Sequence, residues 1–434
     1  MKALFLKPVS AVLFIVLLGL AAAATIPAAA QQTAALPANQ DEINKLLLKR
    51  LQELEDEVKE LRAERAAATP RTTAATEPTP VPTPTPAPAP ASVSIAAEVN
   101  EVAPRLKMEV FGDVAAQKYT HVPDTFLFGS LDLFMTSRLS NKVSALGEAL
   151  FIAESDNSVS VDVERLILKY QFNEHFVASM GRYHTWVGYY NTAYNKAEFL
   201  ETPIDRPFVY AFDDQGGVLP MQDVGVNLTG KIPSGRLRLN YLVEVGNGRA
   251  WGLNAEPSQN NQDANNSKSI NGGLFIRPAD LIGSQFGFSL RHDNLTVPGS
   301  AVGETIATAH AVLNNGVWEI LNEGVLVRHV EATGPVFSTS AFYTQLSRSF
   351  KDFRPYFRYQ YFNAPSNDPV YAYAGPNEFV PYNVTTFVGR LNGPSIGLRY
   401  NFTENSAFKV QYDRYALRGL PTQNGVTSQV AFSF

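Results

Sequence analysis

Val426-Thr427-Ser428-Gln429-Val430-Ala431-Phe432-Ser433-Phe434 ends the chain. Apolar and polar residues alternate through it, which is the period of a β-strand. Alternate side chains of a barrel strand face lipid and lumen. On that reading Val426, Val430, Phe432 and Phe434 share the lipid face, with Phe434 at the aromatic boundary. A barrel closes only if many such strands precede it, so the same pattern should recur upstream.

It does recur. Leu106-Lys-Met-Glu-Val110 alternates, as do Leu237 to Val245, Phe353 to Tyr361, and Pro394 to Phe402. From Leu106 to the end the reading gives about sixteen strands, an even number as single-chain bacterial barrels have. They begin near residues 106, 125, 142, 159, 175, 221, 235, 271, 284, 302, 316, 336, 353, 393, 405 and 425. One set of connections is short, such as Phe172-Asn173-Glu174, Asn314-Asn315-Gly316 and Thr403-Glu404-Asn405. The alternate set holds every long one: 185 to 220, 248 to 270 and 364 to 392. Short turns at one end and long loops at the other are the topology of a membrane barrel. The fold class expected is therefore an all-β transmembrane barrel of about sixteen antiparallel strands over 105–434.

Before the barrel the chain reads as three segments. Lys2 and Lys7, an apolar run from Val9 to Ala24 and the small residues Ala28-Ala29-Ala30 make residues 1–30 a signal peptide. Residues 41–66 read as a short coiled coil in the periplasm, with Leu47, Leu51, Leu54, Val58 and Leu61 spaced by fours and threes as its core. Arg50 and Glu57 then pair with Glu55 and Arg62 at the flanks. Residues 67–104 are a Pro-rich linker; its 70–92 stretch, as polyproline II at ~3.1 Å per residue, reaches on the order of 60–70 Å.

Composition agrees. The net charge of -5 and the lack of a basic stripe exclude nucleic acid as a partner. With no cysteine there is neither a disulfide framework nor thiol chemistry. A mean hydropathy of -0.10 is too polar for a bundle of membrane helices.

These features together resemble bacterial porins of the outer membrane. The plan of signal peptide, short coiled coil, Pro-rich spacer and C-terminal barrel is similar to trimeric porins of the DcaP-like type and, more distantly, to phosphate-selective porins. The terminal Phe432 and Phe434 look like the signal read by the barrel assembly machinery. His184-Thr185-Trp186-Val187-Gly188-Tyr189-Tyr190-Asn191-Thr192, continued by Asp213-Asp214-Gln215-Gly216-Gly217-Val218-Leu219-Pro220, looks like a segment of porin-like proteins. The resemblance implies a trimer in outer-membrane lipid, a water-filled lumen, a third loop folded inward, and passive diffusion of small hydrophilic solutes. No cofactor and no metal follow from it.

Selectivity in a pore comes from the charges that line it. Alternation points Glu109, Asp113, Asp132 and Arg138 inward, with Arg236, Arg238 and Glu244 on the strand near 235. It also points Arg354, Arg358, Arg399, Lys409, Gln411 and Asp413 inward on the later strands. Arg on the lipid face costs about 2–4 kcal/mol at midplane, so the inward assignment has force. A ladder of Arg236, Arg238, Arg354, Arg358 and Arg399 would favour anions, with acids such as Asp113 and Asp132 opposite; alternatively the charges pair across the lumen and line a general channel. Loop 185–220 carries Trp186, Tyr190 and Tyr194 beside Glu201, Asp205, Asp213 and Asp214, enough apolar surface to pack against a wall. It either folds into the lumen as a constriction or covers the mouth as a flap.

Two other functions compete. The coiled coil and spacer suit a periplasmic tether, to the cell wall for example, or an adhesin, with the barrel as anchor. An outer-membrane enzyme would need a nucleophile, a His and an orienting group. His121, His175, His184, His292, His310 and His329 sit in no recognised catalytic motif, so the chain is not expected to be an enzyme.

Overall fold

A computed structural model describes residues 105–434 except 121–122, 154–157, 195–196, 212–217, 252–256, 260, 264, 298–299, 333 and 372–388. Before residue 105 it describes only Lys49, Gln52 and Lys59, each helical and exposed. The expected signal peptide, coiled-coil core and linker otherwise lie outside the described residues.

Residues 105–434 form a closed antiparallel barrel of sixteen strands. The strands are β1 (Arg105–Tyr119), β2 (Thr125–Arg138), β3 (Val143–Ala153), β4 (Val159–Asn173), β5 (Phe176–His184), β6 (Gln222–Lys231), β7 (Leu239–Gly246), β10 (Ser269–Ile276), β11 (Ser284–Val297), β12 (Ser300–Asn314), β13 (Trp318–Glu331), β14 (Val336–Arg348), β15 (Phe353–Asn363), β16 (Arg390–Thr403), β17 (Ser406–Leu417) and β18 (Gln423–Ser433). A two-stranded ribbon of β8 (Arg249–Trp251) and β9 (Pro257–Gln259) lies in the connection between β7 and β10. Each barrel strand pairs with its sequence neighbour, and β18 returns to β1, with Phe111 opposite Ser433 and Tyr119 opposite Gly425. The last residue completes the closure: Phe434 and Val110 exchange two backbone hydrogen bonds of 2.9 Å. Closure leaves no unpaired strand edge, which is what a sheet inside hydrocarbon requires.

The alternation read from the sequence is the alternation of the walls. On β17, Phe408 and Tyr412 point outward while Ala407, Lys409, Gln411, Asp413 and Tyr415 are buried inside. On β18, Val426 and Val430 face out and Thr427, Gln429 and Ala431 face in. The outer surface carries apolar side chains all round, among them Phe126, Phe128, Met180, Phe288, Leu326 and Ile396. A band of that kind is a surface for lipid rather than water. At the short-turn end it is rimmed by rings in contact: Tyr170 with Phe172 at 4.5 Å, Phe353 with Tyr400 at 4.7 Å, and Phe432 with Phe434 at 6.4 Å between centroids.

One expected strand start is corrected. Arg236 and Arg238 do not lie on β7, which begins only at Leu239. Gly235 (φ 58°) and Arg238 (φ 49°) occupy the left-handed region, which breaks an extended strand, and Gly235–Leu237 winds as a 3-10 turn. The Arg236 side chain is 79% exposed in this turn and donates from Nε to Asp280 Oδ2 at 2.9 Å.

Leu326, outward near the middle of β13, tests the orientation of the wall. Leu326→Arg should destabilise the barrel by about 2–4 kcal/mol in a bilayer. Denaturant titration of tryptophan fluorescence on protein folded into phospholipid vesicles reads the shift.

Candidate functional site

The chain between β5 and β6 runs inside the barrel. Its two ends are tied at the neck, where Thr185 N donates to Met221 O at 2.9 Å and Asn191 Nδ2 reaches Thr185 O and Met221 O at 2.8 and 2.7 Å. The described residues of this loop dock on the inner wall.

An irregular chain inside a barrel must find partners for its backbone N–H and C=O groups. The wall supplies them. Trp186 N donates to Glu244 at 3.1 Å, Ile204 N to Gln411 at 3.1 Å and Phe208 N to Gln360 at 2.7 Å. Glu323 of β13 does the most: it accepts from Tyr189 N (2.6 Å), Tyr190 N (2.9 Å), Tyr210 Oη (2.9 Å) and Tyr343 Oη (2.6 Å). The first two are free N–H groups at the start of the short helix α1 (Tyr189–Ala193), which has no cap of its own. Gly188, at φ 129°, precedes it, and a Cβ there would collide with Tyr210 and the Glu323 carboxylate.

The carbonyls are held by cations of β15, β16 and β17. Arg399 Nη1 donates to Phe199 O at 2.7 Å and to Glu201 O at 2.9 Å. Lys409 Nζ donates to Pro203 O at 2.9 Å, and Arg358 Nη1 to Asp205 O at 2.9 Å. Arg354 Nη1 donates to Thr202 Oγ1 at 3.2 Å and lies 3.7 Å from Glu319. Arg354, Arg358, Arg399 and Lys409 thus grip the loop.

Ring packing completes the docking. Tyr190 stacks on Tyr194 at 4.5 Å and meets Tyr343 of β14 edge-on at 5.9 Å. Trp186 packs on Phe275 at 5.0 Å in a space that only a glycine at 273 leaves open. The facing wall is apolar too: Val302 and Ile306 of β12 and Leu321, Val325 and Val327 of β13 are buried inward.

The other expected residues fall as follows. Asp113 lines a cavity of about 380 Å³ between the loop and the walls of β1–β3, β17 and β18, with Glu198, Asp205 and Asp413. Asp132 is inward and buried on β2 and is not among the residues that line that cavity. Arg238 lines a second cavity of about 440 Å³ at the short-turn end, with Lys231 and Arg277. Asp213 and Asp214 lie outside the described residues. A separate buried cluster ties the long-loop end: Arg291 lies 3.1 Å from Asp293 and 3.4 Å from Asp223 and Glu304, and His329 bridges Glu304 (3.0 Å) and Asp368 (2.7 Å). Sequence reading missed Glu319, Glu323 and Gln360. The signal for the first two was present: a pair of carboxylates on the inward parity of a strand, flanking the inward Leu321.

No family model matches this chain, and no curated protein matches it. Among solved structures, an anion-selective porin from Comamonas acidovorans superposes with a TM-score of 0.53 at 11% identity, over 76% of this chain and 100% of that chain. The outer membrane channel DcaP of Acinetobacter baumannii superposes with a TM-score of 0.51 at 10% identity, over 76% and 97%. The fold is that of outer-membrane porins.

Removing the Glu323 carboxylate should loosen the loop. Glu323→Ala leaves two helix N–H groups and two phenols without their acceptor, at about 1–3 kcal/mol for each buried group left unpaired. Protease cleavage within 185–221, mapped by mass spectrometry on the folded barrel, should accelerate at least tenfold.

Glu201 predicts a pH dependence. Burial, reinforced by Glu198, lifts its carboxyl from 4.5 to about 8, against the pull of Arg206, Lys409 and Arg358. The docked loop keeps a proton that a released loop gives up above pH 4.5, so docking weakens as pH rises from 4.5 through 8. Glu201→Gln should flatten this profile in the same protease assay.

Proposed function

We propose that the chain is a porin of a Gram-negative outer membrane, a passive diffusion channel for small hydrophilic solutes rather than an enzyme. The observation that carries this is the inward loop. It hangs inside a closed sixteen-strand barrel and leaves the cavity of about 380 Å³ along one wall, with charged and amide side chains around it. Barrels of this size leave an aqueous interior, and a loop docked on one side sets the size limit of what passes. The apolar outer band and aromatic rim support a location in outer-membrane lipid.

The anion preference expected from the ladder loses its main support, because Arg358, Arg399 and Lys409 direct donors to loop carbonyls. Assembly as a homotrimer is part of the proposal and draws on the resemblance to trimeric porins, with the heptad spacing of Leu47, Leu51, Leu54, Val58 and Leu61 favouring self-association. Phe432 and Phe434 serve as the signal to the assembly machinery, the latter 72% exposed at the short-turn end. Residues 41–66 and 67–104 act as a periplasmic coiled coil and spacer, with the cell wall as a partner within reach.

Residues 31–434, folded in detergent and inserted in a planar bilayer, should give stepwise conductance in groups of three. A folded barrel that conducts nothing would overturn the porin reading and leave the anchor of a tether.

A further inference from the structure

The acids and bases around the 380 Å³ cavity are held in different ways. Four carboxylates line it, Asp113, Glu198, Asp205 and Asp413, with two guanidiniums, Arg206 and Arg358. Both guanidiniums are buried. Arg206 donates to Tyr210 O at 2.9 Å and lies over the Tyr190 ring at 5.2 Å. Arg358 donates to Gln345 Oε1 at 3.0 Å and to Asp205 O at 2.9 Å. Lys409 lies 3.5 Å from Glu198.

The other carboxylates line the cavity without an ion pair within 4.0 Å among the described residues. Asp413 accepts from Tyr119 Oη and Tyr415 Oη, both at 2.7 Å, and from Gln411 Nε2 at 3.0 Å. Asp113 accepts from Ser130 N at 3.3 Å and Gln429 Nε2 at 3.1 Å. All of these donors are neutral, so they orient the carboxylates and cancel no charge. Asp205 is exposed.

A second observation points the same way. The buried Gln429 lines the cavity and turns its amide nitrogen to Asp113 (3.1 Å) and Glu198 (3.4 Å). Two carboxylates fix that orientation, since the flipped amide would set oxygen against oxygen. Its Oε1 is thereby left without a partner. An acceptor with no donor, in a cavity with three carboxylates that make no direct ion pair, is suited to a cation.

We infer that this cavity is a passage selective for small cations, alkali-metal ions and protonated amines, with Asp113, Asp205 and Asp413 as the residues that set the preference. The inference rests on the porin reading. Fixed charges of one sign in a narrow passage with low-dielectric walls concentrate counter-ions. Salt screens that field, with a Debye length of about 10 Å at 0.1 M against 30 Å at 0.01 M, so the preference should sharpen on dilution.

The reversal potential of the bilayer-inserted chain in a KCl gradient tests it. The expected sign is that of a K⁺-preferring channel, with a permeability ratio of potassium to chloride that rises as both solutions are diluted. Asp205→Asn should lower that ratio by roughly twofold or more; asparagine tolerates the left-handed backbone of that position (φ 61°). Asp413→Asn, isosteric inside its tyrosine pair, should add to the effect. Conductance with a chloride-preferring potential, or a ratio that neither variant moves, would overturn the inference and leave the porin reading intact. A folded barrel without conductance would remove both.

Discussion

Wall side chains of this barrel hydrogen-bond to the backbone of a chain that has no sheet or long helix to satisfy it. Docked on the inner wall, a loop of this length carries many N–H and C=O groups out of contact with water. Each one left unpaired costs about as much as a lost hydrogen bond. The answer is a division of labour. Carboxylates and amides of β7, β13, β15 and β17 take the N–H groups, and cations of β15, β16 and β17 take the carbonyls. Remove that arrangement and the loop has no reason to stay in the lumen.

Glu323 shows why the arrangement is specific. One carboxylate caps a helix of five residues and receives two phenols, one from the loop and one from the neighbouring strand. The geometry works only if α1 starts at Tyr189, which in turn needs a glycine at 188. Apolar contact then adds to polar fit: the aromatic residues of the loop cover an inward wall of Val302, Ile306, Val325 and Val327. Polar partners set the register of the loop, and the rings exclude water from it.

The same division shapes the electrostatics of the space that remains. Arg358 and Lys409, whose N–H groups bind loop carbonyls, are buried against the loop. The acids across the cavity are held by hydroxyl and amide donors and face it. Counting inward charges along the strands gives a near balance of signs; their placement relative to the loop makes the balance uneven.

Strand positions were legible because lipid and lumen impose a period of two on every strand, and most starts fall within three residues of the reading. The exception was β7, where Gly235 and Arg238 take left-handed conformations that hydropathy does not register. The strand at 300–314 carries Val302, Ile306 and Val312 on its inward face and largely small residues on its outward face. The sequence by itself determined the barrel, its strand count and which faces turn inward, since those follow from neighbours along one strand. Only the tertiary structure decided that the ladder grips the loop, that Glu323 is its anchor, and which carboxylates meet the cavity. Those pairings join residues more than a hundred positions apart, and no local pattern records them.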